Sequence, residues 1–89
     1  MFVIQTLFKI NLSSDLGQLS LSSAPWGWVE IDGQKLKKHT PIKGLRLSAG
    51  KHNVRIFNPE LGLERRFEVE IKNTETLQKR INLNTGQIR

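Results

Sequence analysis

The amino-acid sequence predicts an all-β domain, a small sandwich of about seven short, mainly antiparallel strands. Three observations carry that expectation. Apolar residues recur at every second position in short windows, as in Val29/Ile31, Leu45/Leu47, Val54/Ile56 and Phe67/Val69/Ile71, which is the period of a strand with one buried face. Turn signals built on Gly, Pro, Asn and Asp separate these windows at intervals of about ten residues. No window of useful length has the apolar period of an amphipathic helix.

Taken in order, Phe2, Ile4, Phe8, Ile10 and Leu12 place apolar side chains at even positions of the first segment. That favours a strand, although Val3 and Leu7 leave a helix open. Ser13 to Gly17 reads as a loop. Gln18–Ser22 carries Leu19 and Leu21 on one face and ends at Pro25, which lacks the amide hydrogen a ladder needs. Trp26 to Asp32 is the next strand. Val29 and Ile31 point one way and Trp28, Glu30 and Asp32 the other, and Asp32-Gly33 closes it with a tight turn. Gly33 to Gly44 reads as a polar connection with Leu36 as an anchor. Leu45 and Leu47, the Ser48-Ala49-Gly50 turn, and Val54 and Ile56 read as a hairpin. Asn58 to Gly62 is a further turn. Phe67, Val69 and Ile71 alternate with Arg66, Glu68 and Glu70 along a half-buried strand. Asn73 to Glu75 turns the chain into a last strand marked by Leu77, Ile81 and Leu83, and the tail from Asn84 is expected to fray.

With 89 residues the chain makes a single thin-cored domain, with a stability of about 5 kcal/mol. It has no cysteine. Thiol catalysis, zinc ribbons and iron–sulfur clusters are thereby excluded, whereas the compartment is not decided. The net charge of +6 is uneven: Lys35, Lys37, Lys38, Lys43, Arg46, Lys51 and Arg55 follow one another without an intervening acid. Such a zone can face nucleic acid, anionic lipid or an acidic polymer, or it can simply be a solvated surface. No segment is long and apolar enough to be a transmembrane helix, and residues 1–12 lack the features of a signal peptide. A complete chain would then be cytoplasmic; a piece of a larger exported protein would belong to the cell envelope.

The stretch from Gly17 onward resembles the PEGA domain, a small bacterial β-sandwich module. The resemblance runs through Gly17-Gln18-Leu19-Ser20-Leu21, the Pro25-Trp26-Gly27-Trp28 box, Val29-Glu30-Ile31-Asp32-Gly33, Thr40-Pro41, Leu45-Arg46-Leu47 and Gly50-Lys51-His52-Asn53-Val54, and ends with paired strands at Leu83. It covers about three quarters of the chain. Tryptophans stand where the family's name-giving box has its acid and its alanine, and the segment before Gly17 has no counterpart. The resemblance divides the chain into an extra N-terminal strand or linker (1–16), a PEGA-like sandwich (17–84) and a tail (85–89). It implies a fold similar to immunoglobulin-like and carboxypeptidase-regulatory sandwiches. It also implies an accessory module of bacterial signalling or cell-envelope proteins, serving protein binding and not catalysis.

The residues themselves point the same way. No phosphate loop, nucleophile elbow or paired-carboxylate pocket is present. His39 and His52 lack an acidic cluster at metal-ligand spacing and read as surface histidines; Asp15 and Asp32 read as turn residues. No catalytic residue, metal site or cofactor is expected. The candidate surface comprises Trp26 and Trp28, with rings about 6.5–7 Å apart on one strand, and the cations Lys35, Lys37, Lys38, Arg46 and Arg55. Exposed indoles beside cations stack on sugars, bases or a partner's apolar patch; the alternative is that one or both cover the open end of the sandwich, packing on Phe57 or on the N-terminal segment. The expected partner is a protein or an envelope polysaccharide. The other reading is a nucleic-acid-binding β domain using the basic 35–55 zone. Residues 2–12 are a candidate for completing a sheet in the chain or for pairing with a second copy as a swapped or augmented strand.

Overall fold

A computed structural model describes residues 15–89. Residues 2–12, expected to add a strand or to pair with a second copy, lie outside them. Seven strands form two sheets: β1 (Leu16–Ala24), β2 (Trp28–Ile31), β3 (Gln34–His39), β4 (Ile42–Ser48), β5 (Gly50–Asn58), β6 (Leu63–Ile71) and β7 (Thr76–Asn82). One sheet has the order β4-β1-β7 and the other β3-β2-β5-β6. All pairings are antiparallel except β1 with β7. The described residues contain no helix long and apolar enough to cross a membrane.

The two-residue period sets the core. Leu19 and Leu21 of β1, Ile42 of β4 and Ile81 of β7 meet Val29, Ile31, Val54, Ile56, Val69 and Ile71 from the other sheet, and Leu83 closes one end. Their neighbours in sequence face outward and are polar, apart from an aromatic group on β2 and β5. Burying two facing apolar layers is what holds the sheets together.

Only two connections stay within a sheet. Asp32-Gly33 joins β2 to β3 with both residues at positive φ (51° and 84°), between the registered pair Ile31 and Gln34. Such a turn matches the twist of the strands it joins, and glycine accepts the left-handed conformation without strain. The other is the Asn58–Gly62 turn between β5 and β6.

Three expectations are corrected here. Gly33–Gly44 is not a mere connection, because Gln34–His39 forms the edge strand β3. The predicted Leu45–Ile56 hairpin is a corner instead: β4 pairs with β1 and β5 with β2 and β6, so the chain changes sheets at Ser48–Gly50. The tail does not fray. Asn82 Oδ1 accepts from the amides of Asn84 and Thr85, and Arg80 and Arg89 exchange backbone hydrogen bonds of 3.0 and 2.8 Å. The last residues thus fold back along the free edge of β7.

Both prolyl bonds that precede a change of sheet, Ala24-Pro25 and Thr40-Pro41, are cis. The two corners are tied to each other. Buried Thr40 shares a 2.6 Å hydrogen bond with Ser23 Oγ, and its Oγ1 accepts from the Gly27 amide at 3.1 Å. The Thr40 amide donates to the Gly27 carbonyl at 2.8 Å. These bonds position the Pro25–Gly27 loop that carries the tryptophans.

Candidate functional site

The outer face of the four-stranded sheet carries the aromatic group. Trp28 is registered between Phe57 of β5 and His39 of β3, so strand alternation alone places the three side chains on one surface. Trp26 joins them from the loop before β2, not from the strand itself. Gly27 lets this happen: a Cβ there would lie 2.6 Å from Ile56 Cγ2 and 3.1 Å from the Phe57 carbonyl oxygen. The loop therefore packs directly against the sheet at the end of the core, with Gly27 facing buried Ile56 and Leu83. Buried Asn58 adds a 2.9 Å hydrogen bond from Nδ2 to the Trp26 carbonyl.

The indole centroids are 5.9 Å apart at 86°, closer than strand spacing predicts because Trp26 comes from the loop. His39 packs 5.3 Å from Trp26 and 5.6 Å from Trp28. The edge-to-face geometry of Trp26 with Trp28 and of Trp28 with His39 sets a ring's positive edge against a neighbour's negative face, while Trp26 and His39 are tilted at 57°. The His39 ring is oriented by its Nδ1–H, which donates to the Thr40 carbonyl at 2.8 Å. Two cations frame the group. Lys35 Nζ stands 5.0 Å from the Trp28 centroid, and the Arg55 guanidinium carbon lies 4.0 Å over Phe57, both within cation–π range.

Arg55 is held by two carboxylates, Glu30 across the strand and Glu64 at 2.8 Å. Glu64 also accepts from Arg66 Nε at 2.8 Å. The hydrogen bonds from Arg55 and then Arg66 hold the Glu64 carboxyl at about 2, well below the usual carboxylate range. This side of the platform is a fixed charge network, whereas Lys35 forms no ion pair with the described residues.

The structure brings Trp26, Trp28, Lys35 and Arg55 together. Lys37 and Lys38 lie exposed in the irregular stretch of β3 between the His39 and Lys35 pairings. Arg46 belongs to the other sheet, on β4 opposite Gln18. Sequence reasoning left His39 and Phe57 out of the candidate surface, Phe57 entering only as a residue on which the indoles would pack if they cover the open end. His39 shares Lys35's parity, a signal hidden while the segment reads as a polar connection; Phe57 follows the predicted strand residue Ile56.

His52 is also corrected. It is a buried residue, 9% exposed, with Nδ1 2.6 Å from Asp32 Oδ2 and Nε2 2.7 Å from the Ser48 carbonyl. Ser48 Oγ lies farther off, at 3.4 Å. Aspartate, histidine and serine thus meet, but Nε2 faces the carbonyl and not the hydroxyl, so this ring is set to donate and not to activate a nucleophile. The grouping clamps a corner. Comparison with protein-family models, curated proteins and solved structures gives no match.

Proposed function

We propose that this chain is a non-catalytic interaction module, and that the Trp26/Trp28/His39/Phe57 platform binds the ring faces of an envelope polysaccharide or an apolar patch on a protein partner. One observation carries the reading. The sandwich completes its core without Trp26, Trp28 or Phe57, none of which belongs to the buried cluster or to the residues packed against it. Large aromatics that a small core does not use, held edge to face on a sheet surface, are the usual anchors of a recognition surface. The resemblance to the PEGA domain supports an accessory role in a bacterial signalling or envelope protein, on the strength of the motifs between Gly17 and Leu83.

The first test is co-sedimentation with purified peptidoglycan sacculi, comparing the wild type with Trp28→Ala. Loss of a stacking anchor of about 2 kcal/mol weakens retention about thirty-fold. A folded Trp28→Ala variant retained as well as the wild type overturns the platform as the polysaccharide site. If sacculi retain neither protein, the protein-partner form is tested by photocrosslinking from position 28, with an exposed position on the other sheet as control. Equal crosslinking from both positions overturns that form as well.

A further inference from the structure

The basic zone read from the sequence does not survive as one surface. Lys35, Lys37, Lys38, Lys51 and Arg55 lie on the four-stranded sheet, whereas Lys43 and Arg46 lie on β4 of the three-stranded sheet. There they join cations from a distant part of the chain, Lys79 and Arg80 of β7. Strands β1, β4 and β7 carry those four bases and no acid; Lys79, registered with Leu21, has the inward parity of Leu77 and Ile81, so Lys43, Arg46 and Arg80 are the three that face outward. Every ion pair among the described residues involves Asp32, Glu30 or Glu64, on the other sheet or its turn. The three-stranded sheet therefore has a net positive charge that the sequence order conceals, with Glu75, just before β7, the one acid among the described residues that shares a pocket with Arg46 at an end of the face.

Its outer face has a regular layout. Along β1, Gln18 lies between Arg46 and Thr76, Ser20 is registered with Gln78, and Ser22 with Arg80. The register shift between Leu19 and Leu21 lets Ile42 and Leu45 both face the core while Lys43 and Arg46 stay exposed. Ser20 Oγ accepts from the Gly44 amide at 3.0 Å, which leaves its own O–H available to donate. An open groove of about 630 Å³ runs over this face, lined by Ser20, Ser22, Lys43, Gln78, Arg80 and Arg89 among others.

We propose that this face binds the sugar-phosphate backbone of single-stranded nucleic acid, without regard to base sequence. Phosphate oxygens are met by Arg, Lys, hydroxyl and amide donors, which is the inventory present. The outward positions of the three strands include no aromatic side chain, so the face lacks the anchor a protein interface needs. It also lacks the stacking surface that would read or hold bases. Gln18 and Ser22, which mark the levels of Arg46 and Arg80, are about 13 Å apart along β1, and the face is about 10 Å wide. That suits one phosphodiester strand of about four nucleotides, the lower end of single-domain site sizes. The proposal is independent of the aromatic platform, which lies on the opposite outer face of the sandwich.

The test is fluorescence anisotropy with labelled oligothymidylate as salt is raised. With about four phosphates neutralised, counterion release gives a slope of log affinity against log salt of about −2.8, so affinity falls about fifty-fold between about 50 and 200 mM salt. Arg46→Gln with Arg80→Gln makes the slope shallower by about 1.4, while Lys37→Gln with Lys51→Gln, on the other sheet and outside the aromatic platform, leaves it unchanged. Circular dichroism of the variants confirms the fold, since both arginines are exposed. Undetectable binding at low salt overturns the proposal. So does a slope that the Arg46/Arg80 variant does not alter, or equally tight binding of polyglutamate, which would make the face a general acidic-polymer site.

Discussion

Asp32 and His52, twenty residues apart, meet through a 2.6 Å contact between Oδ2 and Nδ1. That contact joins the turn after β2 to the start of β5, and the second ring nitrogen of His52 reaches back to the Ser48 carbonyl at the end of β4. A single imidazole thus ties together both sheets at the corner where the chain passes between them. Both ring nitrogens face acceptors, so only the doubly protonated ring satisfies both.

Stability should therefore depend on pH through this pair. Burial by itself would lower the His52 pKa, but its hydrogen bonds to Asp32 and to the Ser48 carbonyl outweigh that and raise it above the ordinary value of 6.5. The Asn53 amide and His52 lower the Asp32 pKa below 3.8. A raised histidine contributes fully below its unfolded pKa and loses its contribution as pH rises through the folded one. A lowered aspartate contributes above its unfolded pKa and loses its contribution as pH falls through the folded one. Thermal melts should show the pair contributing fully between about pH 5 and 6 and weakening above the ordinary histidine range. His52→Gln should flatten the alkaline limb and Asp32→Asn both limbs; an unchanged profile in either variant would refute the linkage.

Glu64 should titrate near 2 when followed by carboxyl NMR shifts. Arg66→Ala should raise that value and Arg55→Lys should raise it further, because the Arg55 hydrogen bond is the largest cause of the lowering. If both variants leave the Glu64 midpoint in place, the charge network beside Phe57 does not form in solution.

Thr40→Val removes a hydroxyl that bonds Ser23 and the Gly27 amide inside the sandwich. The Gly27 N–H is left buried without its acceptor, at an expected cost of about 1–3 kcal/mol in denaturant unfolding. The Trp26 fluorescence should also shift, since the loop loses its tether. Thr40→Ser, which keeps the hydroxyl, should cost less than the valine variant.

Gly27→Ala forces a methyl group to within 2.6 Å of Ile56 Cγ2. Overpacking of this kind costs about 1–3 kcal/mol. The loop must lift to accommodate it, so the near-ultraviolet signal of the stacked indoles should fall while the far-ultraviolet signal of the sheets persists. A stability and near-ultraviolet spectrum matching the wild type would mean that the loop does not lie on the sheet.

Much of the fold was legible because strand alternation and turn chemistry are local. Leu19/Leu21, Val29/Ile31 and Val69/Ile71 announce their inward faces by spacing alone, and Asp32-Gly33 announces its turn. Strand β3 was not legible: Leu36 is its one residue facing the core, and an edge strand guarded by lysines shows no alternation. The site was half legible. Trp26 and Trp28 stand out in the sequence, but His39 enters only through the pairing of β3 with β2, and Phe57 only through the register of β5.

The class of fold follows from local spacing, because the apolar period and the turn residues act over a few neighbours. That two tryptophans flank Gly27 is equally plain in the chain. Which sheet each strand joins is set by long-range packing. Ser48-Ala49-Gly50 would serve a hairpin as readily as a corner, and the choice falls to whether β4 pairs best with β5 or with β1, a contest between partners far apart in the chain. That choice separates Arg46 from Lys35, brings Arg46 to the sheet that holds Arg80, and sets His52 against Asp32. Burial of two facing apolar layers decides it, since each strand must turn its apolar side inward while satisfying its backbone hydrogen bonds.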